Sequence, residues 1–273
     1  MKGKTILVTG STDGIGKQTA IELASAGATV IVHGRNETKA KNALQEVATV
    51  SGNTQLDYCY SDLGSIAEIR SMSAALHNKY DTLDVLINNA GVFMKRKETT
   101  VDGIEKTFAI NHLSYFLVTG FLLDLLKKSK YSRIVNVASQ AHSNGIDWDN
   151  LQGEKFYEGY DAYSRSKLCN ILFSYKLARE LSGSDITVNV LHPGVIKTKL
   201  LRTGFGFGGS DVSHGAATSV FLASSPDVEG VSGKYFVHSQ TATSSKASYD
   251  ISLQNRLWQT SEELTGYEYL HGE

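Results

Sequence analysis

The chain has 273 residues, 41% of them hydrophobic, with 27 Lys and Arg against 28 Asp and Glu for a formal net charge of -1. That apolar content over that length supports a sizeable core and excludes intrinsic disorder. The near-zero charge argues against nucleic-acid binding, which needs a basic surplus to neutralise phosphates.

Short β-branched runs predict strands over residues 5–9, 29–33, 55–60, 83–87, 133–138, 187–191 and 234–237. Helical spacing separates most of them, as in Ala20, Leu23 and Ala24, or Ile66, Ile69, Met72 and Leu76. The strands are continuous apolar runs, as expected of a parallel sheet covered by helices on both faces. The expected architecture is therefore α/β: a single-domain Rossmann fold over residues 1–273, with a doubly wound sheet of seven parallel strands. Two stretches depart from the alternation. Residues 143–159 form a polar insertion. The glycine-rich stretch 202–210, with Phe205 and Phe207, is expected to be a mobile substrate loop within 200–212, its phenylalanines suiting an apolar lid or simply packing the loop down.

Cys59 and Cys169 are too few for a disulfide framework and too isolated for a metal site, so a reducing cytoplasm is expected. No apolar run approaches the ~18 residues of a membrane span. The first strand leads straight into a glycine-rich turn, so neither a signal peptide nor an apolar anchor is expected before it.

That turn reads Thr9-Gly10-Ser11-Thr12-Asp13-Gly14-Ile15-Gly16, and a helix is expected to begin near Gly16. Gly10 permits a tight turn, and Gly14 and Gly16 clear side chains where a pyrophosphate and the helix approach the backbone. The helix N-terminus then offers free N–H groups to the phosphates. Folds that prefer NAD usually place an acid at the end of the second strand to hold ribose hydroxyls. Here that place holds Gly34 followed by Arg35, with Lys17 just past the glycine turn. Two cations and no carboxylate suit a 2′-phosphate, so NADP(H) is expected over NAD(H). The plainer reading makes Arg35 and Lys17 solvated surface cations.

Tyr163 and Lys167 are four apart in a helical pattern and so share a helix face. A neighbouring ammonium favours the phenolate and lowers a tyrosine's pKa from its usual value near ~10. Such a tyrosine exchanges a proton with an alcohol or carbonyl near neutral pH. None of the other tyrosines has a lysine four residues on. Ser139 directly follows a predicted strand, where strand ends face the ligand crevice of a parallel sheet. Its hydroxyl could hold a substrate oxygen, or simply form a turn.

Thr9–Gly16, Asn88-Asn-Ala-Gly91, Asn111, Ser139, Tyr163, Lys167 and His192-Pro-Gly-Val-Ile-Lys-Thr198 stand in the order and spacing of the short-chain dehydrogenases/reductases, which the chain resembles over nearly its whole length. Ala138-Ser-Gln-Ala-His142, the insertion with Asp147-Trp-Asp-Asn-Leu151, Tyr163 to Asn170, and Leu257-Trp258 with Ser261 resemble the retinol dehydrogenase-like branch, which includes the WW-domain oxidoreductases. Membrane-bound members of that branch carry an N-terminal apolar anchor, whereas this chain starts at the first strand. A soluble enzyme is the resulting expectation. The chain also lacks WW domains.

The resemblance implies these roles. Tyr163 is the acid/base, Lys167 lowers its pKa and binds the nicotinamide ribose, and Ser139 positions the substrate oxygen. Asn111 supports a water-linked proton relay to Lys167. Gly10, Ser11, Thr12, Asp13, Gly14, Ile15, Gly16, Lys17 and Arg35 contact the cofactor's phosphates and adenosine end. Asp62, with Leu63, contacts adenine, although taken alone Asp62 reads as a helix N-cap. Asn89, Ala90 and Gly91 pass the cofactor ribose. Pro193, Gly194, the Ile196 backbone and Thr198 hold the carboxamide and phosphates. His142 and His192 read as structural. The implied activity is NADP(H)-dependent hydride transfer with an apolar aldehyde, ketone or retinoid-like alcohol. The implied assembly is a homodimer or homotetramer. The alternative is a catalytically silent NADP(H)-binding regulatory protein, which would be expected to lose Tyr, Lys or Ser.

Overall fold

A computed structural model describes residues 1–205 and 208–269. Phe207 of the expected lid lies outside the described residues, as does the side chain of Phe205. In chain order the elements are β1 (Thr5–Val8), α1 (Gly14–Ser25), β2 (Thr29–Gly34), α2 (Glu37–Ser51), β3 (Leu56–Tyr60), α3 (Ile66–His77) and β4 (Val85–Asn88). There follow α4 (Lys106–Phe108), a π-helical turn (Ala109–Leu113), α5 (Ser114–Phe121), α6 (Leu123–Lys127), β5 (Arg133–Val137) and α7 (Gly159–Glu180). The chain continues through β6 (Thr187–His192), α8 (Lys199–Phe205), α9 (Val212–Ser224), β7 (Tyr235–Val237), β8 (Gln240–Ala242) and α10 (Ile251–Thr265).

One sheet of order β3-β2-β1-β4-β5-β6-β7-β8 joins all the strands. The first seven are parallel, and β8 pairs antiparallel with β7. Seven parallel strands were expected; the eighth has three exposed residues, Gln240–Ala242, and so carries no apolar signal. Alternate strand residues feed opposite cores. Leu7, Ile31, Leu86 and Ile134 pack with Ile69 of α3, Phe116 of α5 and Phe173 of α7. Ile6, Val30, Val85 and Val135 pack with Leu23 of α1, Val47 of α2 and Leu222 of α9. Burial on both faces is why these strands are apolar at every position.

Capping sets the helix starts. Asp13 accepts from the Gly14 amide, so α1 begins at Gly14, two residues before the expected start. Asn36 caps α2 through the Lys39 amide, and Gly52 ends it in the left-handed region at φ 67. Ser65, not Asp62, caps α3 by accepting from the Glu68 amide. The stretch expected to be loop from residue 202 continues a helix from Lys199. There Thr198 Oγ1 accepts from the Leu201 amide at 3.1 Å and opens α8. Chain order reverses between β3 and β4, leaving a crevice beyond the carboxyl ends of β1 and β4.

Candidate active site

A cleft of about 540 Å³ occupies that crevice, a size typical of small-molecule sites. A larger hollow of about 930 Å³ opens at the opposite end of the sheet, beside Arg133 and Thr187, the first residues of β5 and β6. None of the expected site residues lines that hollow. Ligands of doubly wound sheets bind at carboxyl strand ends, which selects the smaller cleft.

The glycine-rich turn forms its floor. Gly14 takes a left-handed φ of 55, and a Cβ there would meet only Thr198, at 3.4 Å, across the cleft. Gly16 serves packing instead: its Cβ would lie 2.3 Å from Asn89 Nδ2 and 2.5 Å from the Gly10 carbonyl oxygen. Gly10, Thr12, Asp13, Gly14, Ile15 and Gly16 all line the cleft. Ser11 does not. Its hydroxyl donates to the Val8 carbonyl at 2.8 Å and accepts from the His33 amide at 2.9 Å, holding the turn's shape. His33, which the sequence did not single out, accepts from the Gly10 amide at 3.0 Å. Asn89 Nδ2 donates to the Thr9 carbonyl at 2.9 Å and ties the turn to β4.

At one end of the cleft stand Arg35, Asp62 and Leu63. A Cβ at Gly34 would lie 2.8 Å from the Ala40 amide nitrogen, so packing of α2 on β2 leaves no room there for an acid. Lys17 is not brought into the cleft, because Glu46 of α2 holds its ammonium at 2.7 Å. A cation not foreseen, Lys199, lines the cleft and pairs with Asp13 at 2.6 Å, linking α8 to the cap of α1. Asp62 Oδ1 accepts from the Gly64 amide at 2.9 Å.

At the other end Ser139, at the exit of β5, hydrogen-bonds the Tyr163 phenol. Phe93 packs on the Tyr163 ring, centroids 5.6 Å apart. Lys167 Nζ donates to the Val137 carbonyl at 2.9 Å. Asn111, in the π-helical turn, lies behind these groups. Its amide donates to the Val92 carbonyl at 3.0 Å and to Ser166 Oγ at 2.9 Å, and its oxygen accepts from the Val92 amide at 2.8 Å. Asn89, Ala90, Gly91, Pro193, Gly194, Ile196 and Thr198 also line the cleft. His192 Nδ1 accepts from the Gln140 amide at 3.0 Å, and His142 Nε2 from the Ser245 amide at 2.9 Å, which are structural roles.

Burial dominates the electrostatics. It pushes the Tyr163 phenol up to about 12, opposed by the Ser139 hydrogen bond. It pulls Lys167 down to about 7. The expected lowering of Tyr163 by Lys167 is thus overridden, since a lysine itself driven toward neutrality lends little charge to its neighbour.

The residues present fit a dinucleotide. Gly14 bares the backbone at the N-terminus of the 12-residue α1, whose first turn carries no acid, and this end of a helix attracts phosphate. Among the described residues no group of three His, Cys, Asp or Glu is placed to hold a metal.

A family model for short chain dehydrogenases matches residues 4–205. Among similar proteins, retinol dehydrogenase 14 of Homo sapiens is 41% identical over 97% of this chain and 87% of its own. Polyprenol dehydrogenase of Homo sapiens is 38% identical over 96% and 85%. Among solved structures, an uncharacterised protein from Mycobacterium paratuberculosis superposes with a TM-score of 0.81 at 29% identity, covering 98% of this chain and 96% of that one. The RhlG/NADP active-site complex of Pseudomonas aeruginosa gives 0.71 at 27% identity, covering 86% and 94%.

Proposed function

The chain belongs to the short-chain dehydrogenase family of oxidoreductases, and from that premise we propose that it interconverts an apolar alcohol and its carbonyl with NADP(H) as redox partner. The convergence of the Ser139 hydroxyl on the Tyr163 phenol, with Lys167 one helical turn further along α7, carries this reading. When bound, the nicotinamide supplies or accepts the hydride.

The chain's own residues handle the oxygen and the proton. Ser139 donates a hydrogen bond to the carbonyl oxygen and holds it beside the phenol. In the reductive direction Tyr163 gives its proton to that oxygen. With its pKa held near 12 by burial, Tyr163 is a neutral phenol at neutral pH, which suits carbonyl reduction. The negative charge of the tyrosinate formed favours the protonated form of Lys167, which then steadies it, and Asn111 fixes the backbone at Val92 alongside.

Preference for NADP(H) rests on Arg35 in the cleft and on the lack of space for an acid at Gly34. It is supported by the NADP complex of the RhlG relative. An apolar substrate is supported by the names retinol dehydrogenase and polyprenol dehydrogenase, both for apolar alcohols. We also propose one domain over residues 1–273, since every described strand joins one sheet. Cys59 and Cys169, buried and free, suit the reducing cytoplasm. Among the described residues no helix is long and apolar enough to cross a membrane.

The test is NADPH and NADH consumption, followed by absorbance, with a panel of aliphatic, aromatic and retinoid aldehydes and ketones. Turnover of apolar carbonyls with NADPH ahead of NADH is expected. NADPH binding without turnover on any carbonyl would overturn the reading and leave a nucleotide-binding protein.

A further inference from the structure

The imidazole of His112 is buried in the π-helical turn, directly after Asn111, between the rings of Phe108 at 5.2 Å and Phe173 at 6.1 Å. Its Nε2 lies 2.9 Å from Ser261 Oγ of α10, a residue 149 positions further along the chain. On the other edge of the ring, His112 Nδ1 and Asn170 Oδ1 are both buried, and among the described residues neither has a hydrogen-bond partner of ordinary geometry. The Asn170 side chain is nonetheless close enough to offset part of what burial does to the ring. Asn170 Nδ2 reaches the Val137 carbonyl at 3.4 Å, the same oxygen that accepts from Lys167 Nζ at 2.9 Å.

We infer that Ser261 is a positioning residue for the reacting end of the cleft. Through His112 and Asn170 it fixes the turn that carries Asn111 and the carbonyl that holds Lys167. The inference rests on the reading that Lys167 and Asn111 serve Tyr163.

Proton counting sets the arrangement. Burial draws His112 down to about 3, so its ring is neutral and carries one N–H. One assignment uses every polar atom: the Ser261 hydroxyl donates to Nε2, Nδ1–H donates to Asn170 Oδ1, and the Asn170 amide donates to Val137. If the Ser261 hydroxyl turned to its other acceptor, the Leu257 carbonyl at 2.7 Å, Nε2 would have to carry the hydrogen. Nδ1 and Asn170 Oδ1 would then face each other as two acceptors, a costly buried mismatch. The position of one hydroxyl on α10 therefore decides whether the chain of bonds reaches Lys167.

The turn itself needs such a hold. A π-helical turn inserts an extra residue into a helix, and such turns recur at functional sites. Asn111 clamps it inward to Val92 and Ser166, and His112 clamps it outward to α10. Aromatic packing of Trp258 on Phe173 and Phe116, at 5.9 Å and 5.4 Å, seats α10 where Ser261 reaches the ring.

The experiment compares the full chain with Ser261→Ala and Ser261→Thr. In Ser261→Ala, kcat falls on the order of ten-fold, the size of a small misplacement of reacting groups. The limb of the kcat–pH profile governed by Tyr163 and Lys167 moves, while the NADPH Kd stays within about two-fold. Ser261→Thr restores both kcat and the profile. Wild-type kcat and an unmoved limb in Ser261→Ala would overturn the inference.

A second readout needs no turnover and reads the wild-type protein itself. In ¹⁵N-histidine-labelled wild-type protein, with His112→Gln assigning the signal, His112 should show the Nδ1–H tautomer without titrating down to pH 5. An Nε2–H tautomer, or titration in that range, would overturn the inference. If the wild type turns over no carbonyl, the proposed function fails, and the tautomer still decides the role of Ser261.

Discussion

Lys167 places its ammonium over the face of the Tyr163 ring, 5.7 Å from the centroid, while bonding the Val137 carbonyl at the end of β5. The lysine is thus tied to the sheet, and the phenol keeps its own contact with Ser139. Removing only the phenol oxygen should leave this scaffold standing. Tyr163→Phe is expected to lower kcat by about 10²–10⁴-fold, the usual contribution of a positioned acid. NADPH should still bind with unchanged affinity by fluorescence titration, and wild-type-like turnover would refute the role of Tyr163.

The proposed preference for NADP(H) is tested at Arg35, the cation that follows β2 and lines the cleft. Charge-assisted bonds from a guanidinium to a phosphate are strong and directional. Arg35→Asp should raise the KM for NADPH by about ten-fold or more and improve NADH use. The checking measurement is the ratio of kcat/KM for the two cofactors. Gly34→Asp is expected to fail as a switch for a different reason, since its Cβ would press on the Ala40 amide and reduce folded yield.

Much of this architecture is legible in the sequence because burial on both faces writes each central strand as an apolar run. Thr29–Gly34 and Thr187–His192 fall within one residue of their expected ends. The glycine turn and the Tyr163–Lys167 pair are legible because their partners are local: four residues apart on one helix, or eight along one turn. What escapes is set by distant partners. Lys17 looks free until α2 brings Glu46 beside it. Helix α8 hides in a glycine-rich stretch because Thr198 caps it. His112 gives no sign of Ser261, which the fold alone brings to it.

The buried histidines set an acid limit on stability. Burial lowers His33 to about 4, His112 to about 3 and His192 to about 4. The unfolded chain takes up protons at these residues as pH falls below ~6.5, while the folded chain does not. Their contribution to stability is therefore complete above that value and is lost as pH falls toward 4. By pH 5 the loss is on the order of 2 kcal/mol per histidine. Tm should fall from pH 7 to pH 5, and His33→Gln should flatten that fall. An equally steep acid limb in the variant would count against it.

Helix α8 rests on the wall of the reacting end. Gly204 lies against Phe93, and a Cβ there would come within 2.6 Å of its ring, which itself packs on Tyr163. Gly204→Val should therefore displace α8 or tilt Phe93 and narrow the approach to Tyr163. The KM for a bulky apolar carbonyl is expected to rise several-fold, while the NADPH Kd stays unchanged. Steady-state kinetics with small and bulky aldehydes separates these effects, and equal losses for both would show that Gly204 does not shape the substrate site.

The C-terminal tail depends on a notch in α5. Gly120 faces Tyr267 and Tyr269, and a Cβ there would lie 2.3 Å from one ring and 2.8 Å from the other. Tyr269 in turn packs on Phe116 and Trp258, both at 4.7 Å, so the notch seats an aromatic cluster that holds α10 against α5 and α7. Gly120→Ala overpacks this seat, which costs about 1–3 kcal/mol. Two competing effects favour alanine, its better helix propensity and the reduced freedom of the unfolded chain, but each is worth only about 1 kcal/mol or less. A net fall in Tm is therefore expected, together with a red shift of Trp emission as Trp258 loses its cover. A raised Tm would mean that Tyr267 swings aside freely, and the tail would then not be what holds α10 in place.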